Sequence, residues 1–332
     1  MFSARMNFKT ILHSLVVMPL LFIVVAVMTR GTMDAQTVNW VEMGPPSARC
    51  CMGMAYDGAT HSTVLFGGTG PVPDQTIYGD TWIWHGGWFR LSPAISPSPR
   101  NSAVMAYDGA AGNVVLFGGY SSTGAYLDDT WTWDGNTWTQ QLPPVSPPAR
   151  NGYGNMVYDT ATQTVVLFGG NNSAGVLGDT WTWDGIAKTW TRRNPPASPA
   201  AQSASMAYDA ATRTVVLFGS SADTWTWNGI TWTQQFSASA PSARIQQAMT
   251  YDSDLGVVVL FGGAVGGVWE DSTNDTWMWN GTKWTEIRPA TVPPNRYAFG
   301  MDYDVVNKAV FMFGGYSSTV VRGDTWLLAL AP

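Results

Sequence analysis

The chain has 332 residues, of which 45% are hydrophobic and only 12% charged, with a formal net charge of −6. So large an apolar fraction excludes a disordered chain and supplies a sizeable core, while 35 Gly and 20 Pro provide turns. The acidic balance excludes the basic surface that nucleic acid or an anionic membrane requires, and two adjacent cysteines, Cys50 and Cys51, do not make a disulfide framework.

In chain order, the first element is a leader. Arg5 and Lys9 precede an apolar stretch from Leu15 to Met28 that only Pro19 interrupts, so residues 1–35 read as a signal peptide or an N-terminal membrane anchor. The stretch is shorter than the roughly twenty residues that span a bilayer, but counting from Ile11 lengthens it, and no clean small-x-small cleavage site follows. The chain is therefore expected to be secreted or held in the cell envelope. Loss of residues 1–33 would remove Arg5, Lys9 and Arg30 and no acid, taking the net charge to −9. Neither cysteine directly follows the apolar stretch, as a lipoprotein cysteine would, and buried thiols are the simpler reading of the pair, with a vicinal disulfide or a reactive surface pair as the alternatives.

After a short segment of strand character, residues 37–42, the chain becomes periodic. A Tyr-Asp step recurs at Tyr56, Tyr107, Tyr158, Tyr208, Tyr251 and Tyr303, with spacings of 51, 51, 50, 43 and 52 residues. About ten residues later comes an apolar run ending in Phe-Gly, at Phe66, Phe117, Phe168, Phe218, Phe261 and Phe313; a second Gly follows except in the fourth unit, which has Ser220. Asp-Thr-Trp then begins at Asp80, Asp129, Asp179, Asp223, Asp275 and Asp324, and five units add a later Trp, at positions 88, 138, 190, 232 and 284. These segments are short, rich in Val, Thr, Tyr, Phe and Trp, and separated by turn formers such as Asp134-Gly135 and Asn228-Gly229, which tolerate positive φ. Each unit predicts a four-stranded antiparallel meander.

Gly-Gly after an apolar strand, then Asp-x-Trp and a later Trp, resembles the kelch repeat, of the bacterial galactose-oxidase-like kind, over residues 37–328. The resemblance implies an all-β, six-bladed kelch-type β-propeller, residues 37–330, with four-stranded blades around a channel. The sixth unit stops after Asp324-Thr325-Trp326 without an outermost strand, and residues 37–42 have the form of that strand, so the N-terminal segment is expected to close the last blade and satisfy its edge. Paired indoles such as Trp131 and Trp133 share one strand face and are expected to hold neighbouring blades together.

Kelch propellers include oxidases, isomerases and pure binding domains, so the resemblance fixes no activity. The oxidase type implies copper held by two His and two Tyr with a Cys cross-linked to one Tyr; His61 and His85 lie in or beside tight turns of one unit and read as solvated turn residues. The acids Glu270, Asp271 and Asp275 resemble the iron-binding acids of nitrile-specifier kelch proteins, but Asp275 belongs to the repeat and reads as a loop-capping group. No Ser-His-Asp set or phosphate loop is found. No cofactor or metal is expected.

Function is expected on the face carrying the long second connections and the links between blades. That face presents Tyr78, Tyr120, Tyr126, Trp269 and Tyr316, outside the repeated strand positions, for loop packing or ligand contact. Arg49, Arg100, Arg150, Arg244 and Arg296 each precede a Tyr-Asp step by seven or eight residues, with Ala201 in the fourth slot. Adaptor-type kelch domains use arginines at similar positions to grip acidic ligands, which would make these a ring of ligand contacts; the alternative is a brace to carbonyls or Asp of a neighbouring blade. The expectation is an exported, non-catalytic binding or scaffold propeller for a protein or glycan, as a monomer, with a carbohydrate-active oxidase or isomerase as the rival reading.

Overall fold

A computed structural model describes residues 38–43, 46–268, 271–317 and 320–330. The leader, with Trp269 and Glu270, lies outside the described residues. The described residues contain no helix and form six four-stranded antiparallel blades of a β-propeller.

Blade 1 comprises Gly53–Asp57, Ser62–Phe66, Thr81–Trp84 and Trp88–Leu91. Blade 2 comprises Val104–Asp108, Asn113–Ser121, Tyr126–Trp133 and Trp138–Gln141. Blade 3 runs through Met156–Asp159, Thr164–Asn172, Gly175–Asp184 and Thr189–Arg193, and blade 4 through Ala204–Asp209, Thr214–Gly219, Thr224–Trp227 and Trp232–Gln235. Blade 5 holds Ala248–Asp252, Val257–Phe261, Thr276–Trp279 and Trp284–Ile287. In blade 6, Gly300–Asp304, Ala309–Phe313 and Thr325–Leu330 are completed by Val38–Met43, which pairs antiparallel with the last of them from Val38 opposite Leu330 to Met43 opposite Thr325. The N-terminal strand thus closes the last blade, and the edge that an open array would expose is paired.

The second strand of each blade is apolar at consecutive positions, as in Val64-Leu65-Phe66 and Val215-Val216-Leu217-Phe218, because both of its faces are covered by neighbouring blades. Six apolar clusters follow, one per seam, each drawn from two adjacent blades; Phe311 and Phe313 of blade 6 meet Leu65 and Trp84 of blade 1 at the closing seam. The outer-strand Trp of one blade packs edge-on against the Phe of the preceding one, with centroids 5.4 Å apart for Phe66–Trp138 and 5.2 Å for Phe117–Trp190. Its indole N–H crosses the same seam, from Trp138 to Thr81 Oγ1 at 2.9 Å and from Trp190 to Thr130 Oγ1 at 2.9 Å. The indoles are the glue between blades.

The Tyr-Asp carboxylates cap the first hairpins. Asp57 Oδ1 accepts the amides of Ala59 and Thr60, and Asp108 and Asp159 repeat the arrangement. A repeated Met two residues before each Tyr fills the space nearest the hub: a methyl group on Gly53 would press on Met105, and one on Gly300 on Met54. In these two seams a glycine on one inner strand therefore accepts the thioether of the next.

Candidate functional site

The repeated arginines and aspartates meet within their own blades. Arg49 Nη1 donates to Asp80 Oδ1 at 2.7 Å and to the Gly67 carbonyl at 3.0 Å, while Nη2 reaches Asp80 Oδ2 at 3.1 Å. Arg100–Asp129, Arg150–Asp179, Arg244–Asp275 and Arg296–Asp324 are equivalent pairs, with closest approaches of 2.6 to 2.7 Å, and every one of these arginines is buried to 1% exposure or less. The first Trp of the motif completes the set: Trp131 Nε1 donates to Asp129 Oδ2 at 2.7 Å, and Trp82, Trp181, Trp277 and Trp326 do the same for their aspartates. Burial opposes ionisation of these carboxyls, but the guanidinium and indole donors outweigh it and hold Asp80, Asp129, Asp179, Asp275 and Asp324 below the ordinary carboxylate value.

The main chain of Arg49, Arg100, Arg150 and Arg296 meanwhile bonds the preceding blade. The Arg100 carbonyl accepts from Gly68 N at 3.0 Å and its amide donates to Tyr78 O at 3.0 Å; Arg150 and Arg296 repeat both bonds. This explains the Gly-Gly pair. Gly67 and Gly68 take φ of 68° and 99°, and any Cβ on Gly67 would collide with the Arg100 carbonyl. The geometry is that of the brace, with the Asp supplied by the same blade rather than a neighbouring one. These five guanidinium groups are buried and paired with aspartate, as a brace requires. Asp275 is likewise the partner of Arg244 and Trp277, not the cap of a loop.

The fourth blade departs from the pattern one residue away from the expected slot. Gln202, not Ala201, stands where the others have Arg, its carbonyl facing Gly169 as that of Arg150 faces Gly118. Gln202 Oε1 accepts from Ser221 N and Oγ, and Asp223 bonds Gln234 instead of a guanidinium.

The aromatic residues separate into three groups. Tyr120 and Tyr126 pack edge-on on each other at 5.1 Å, and Tyr316 lies 5.5 Å from Tyr297 beside the hub. Tyr78 instead lies over Arg49, whose Cζ is 4.2 Å from the Tyr78 centroid and 6.0 Å from that of Trp82. Around this sandwich opens a groove of about 470 Å³, lined by Ser47, Ile77, Tyr78, Asp80, Trp82, Arg90 and Pro99 among others. Its walls come from the second connection of blade 1 and the links before and after that blade, which is the long-loop face. Arg90 stands opposite Trp82 in the strand register, on the same face of the sheet, and is exposed with no ion-pair partner among the described residues. Its volume falls within the roughly 300–1,000 Å³ of small-ligand sites.

Sequence reading found Arg49 and Tyr78 but missed Trp82 and Arg90. Trp82 was hidden by its membership of the repeat. Arg90 carried little signal in its register: the equivalent positions of blades 2, 4 and 5 hold Gln140, Gln234 and Glu286, but that of blade 3 holds Arg192.

The hub offers far less room. Met54, Met105, Met249 and Met301, with Tyr153 and Gln247, surround a cavity of about 60 Å³, enough for a few water molecules. Asp302 replaces the small or uncharged residue of other blades and bonds both neighbouring blades: Oδ2 accepts Tyr56 N of blade 1 at 2.6 Å and Oδ1 accepts Thr250 Oγ1 of blade 5 at 3.1 Å. Burial pushes its carboxyl above the ordinary carboxylate value. His61 and His85 are exposed at the opposite turns, His85 Nδ1 lying 3.0 Å from the His61 carbonyl. Among the described residues there is no group of three or more His, Cys, Asp or Glu placed to hold a metal ion.

Six radial meanders, five of them braced by an Arg-Asp-Trp set and a Gly-Gly pair, define a β-propeller of the kelch type. The KLHDC2/KLHL20/DRC7 Kelch-repeats domain model matches residues 60–229, half of the chain, and the chain belongs to the kelch-repeat family. No curated protein matches the chain. A propeller of this family is a scaffold suited to non-catalytic binding.

Proposed function

We propose that this protein is an exported, non-catalytic binding propeller whose blade 1 groove takes a carboxylate-bearing sugar. The groove carries the reading: two half-buried aromatic side chains, Tyr78 and Trp82, lie beside an exposed guanidinium, Arg90, that has no ion-pair partner among the described residues. Aromatic faces offer apolar area for a sugar ring, and a guanidinium offers the fork that a carboxylate fills. The buried Arg49–Asp80 pair beneath fixes Tyr78 and Trp82 in place, so little ordering remains to oppose binding. Arg5, Lys9 and the apolar run from Leu15 to Met28 support export.

The test is a panel of acidic oligosaccharides and their carboxyl-reduced counterparts, scored for binding and for oxygen consumption. The reading expects capture of acidic members, loss of capture on reduction, and no turnover. Turnover of any member supports the rival carbohydrate-active enzyme, and equal capture of reduced sugars rejects the role of Arg90.

A further inference from the structure

The two cysteines sit where the repeat does not ask for thiols. The residues following the Arg slot in the other blades are Asn101-Ser102, Asn151-Gly152, Ser203-Ala204, Ile245-Gln246 and Tyr297-Ala298. In blade 1 they are Cys50 and Cys51, the only cysteines of the chain. Both are free thiols, and their sulfurs lie 2.8 Å apart.

The fold holds this pair from both sides. Cys50 N donates to Thr69 O at 3.0 Å and Thr69 N returns the bond to Cys50 O at 2.8 Å. Cys51 N donates to Ala298 O of the blade 6 link at 2.7 Å, and Cys51 O accepts Ser102 N of the blade 2 link at 2.6 Å. That series continues around the hub, from Gln246 O to Ala298 N and from Ser102 O to Gly152 N. Cys51, Ser102, Gln246 and Ala298 all carry φ between 52° and 62°, a left-handed turn set by the hub and not by the thiols. Beside them Tyr153 is fixed by Ser102 Oγ at 2.8 Å. Cys50 is buried and Cys51 is half-buried, which makes Cys51 the more accessible residue of the two.

We propose that Cys50 and Cys51 form a reversible redox site at the hub rim, closing into a vicinal disulfide by exchange with a small-molecule disulfide. Cys51 loses its proton to solvent and attacks one sulfur of the small disulfide, expelling a thiolate that takes up a proton. Cys50 then loses its proton and attacks Cys51 Sγ in the mixed disulfide, expelling the second thiolate, which is also protonated. Two protein thiols are oxidised to one disulfide and one small disulfide is reduced to two thiols. Adjacent Cα atoms stand about 3.8 Å apart, below the roughly 4.4–6.8 Å usual for disulfides, which makes such a bond easily reduced and places it with the regulatory rather than the structural kind. The hydrogen bond to Cys50, with burial, raises the Cys51 thiol well above its ordinary value, so the exchange accelerates toward alkaline pH.

The test uses the folded full-length chain and oxidised glutathione at mildly alkaline pH, followed by intact-mass measurement and thiol counting. The wild type is expected to lose the mass of two hydrogens and both titratable thiols without retaining glutathione, and a monothiol reductant should restore both. Cys50→Ser should stop at one glutathione adduct on Cys51. A stable adduct on the wild type, a disulfide-linked dimer, or a wild type that stays reduced while Cys50→Ser is modified would each overturn the proposal. So would thiols that react only after denaturation in urea.

Discussion

Arg100 donates to both carboxylate oxygens of Asp129, Nη1 to Oδ1 at 2.6 Å and Nη2 to Oδ2 at 2.9 Å, while its main chain is bonded to blade 1. One residue thus ties the third strand of its own blade to the long loop of its neighbour. Removing either partner leaves a buried charge without compensation, at a cost of about 3–5 kcal/mol per site. Arg100→Ala combined with Arg244→Ala is expected to lower the melting temperature steeply in a calorimetric scan. An unchanged melt with lost ligand binding would return these residues to the role of ligand contacts.

The indole N–H of Trp138 bonds Thr81 Oγ1 across the seam between blades 1 and 2. Trp138→Phe keeps most of the ring contact with Phe66 and removes only that bond, so it should destabilise by about 1 kcal/mol. In a double-mutant cycle with Thr81→Val, chemical denaturation should show a coupling of similar size. Additive effects would mean that the bond contributes nothing.

Strand Val38–Met43 pairs with Thr325–Leu330 along its whole length. Deleting residues 38–43 strips blade 6 of its outer strand, and a sharply lower melting temperature and enhanced proteolysis of blade 6 are expected. A truncated chain that melts like the parent would show that the seam closes without this strand.

Acid stability is predicted to have two limbs. Burial raises Asp252 to about 6 and also raises Asp302 and Asp108. An acid whose folded value exceeds its unfolded value, about 3.9, binds its proton more tightly when folded, so stability rises as pH falls from about 6 toward 4. The five aspartates paired with arginine have depressed values, and their contribution is lost as pH falls below about 4. Melting temperature should therefore peak between about pH 4 and pH 6, and Asp252→Asn should flatten the rise on the neutral side. A profile that falls monotonically from pH 7 downward would contradict this assignment.

Periodicity made the blades legible because strands, turns and indoles recur in register, and the missing outer strand of blade 6 pointed to residues 37–42. Individual roles were harder to read. A repeated Arg and a repeated Asp look alike as ligand contacts or as a clamp until the chain brings Arg100 beside Asp129, across a separation that no local pattern reports. The one-residue offset at Gln202 arose because the spacing from this slot to the Tyr-Asp step is not fixed, being 6 residues in the fourth unit and 8 at Arg150 against 7 elsewhere. The Met two residues before each Tyr was visible in all six units, but its partner, the small residue on the neighbouring inner strand, is defined only once the blades are radial. Arg90 lay in an outer strand, and with Arg192 at the same register position of blade 3 only the groove formed with Tyr78 and Trp82 sets it apart.

Titration of Arg90→Glu and the wild type with an acidic oligosaccharide, with melting curves recorded in parallel, decides whether the blade 1 groove holds a carboxylate through Arg90. Arg90 is exposed and unpaired among the described residues, so reversing its charge should leave stability within about 0.5 kcal/mol. Binding to the wild type is expected, reduced at least roughly tenfold in the variant, as the loss of a charged hydrogen bond implies, with coincident melts. Equal affinity in both proteins, or no binding to either, would contradict it.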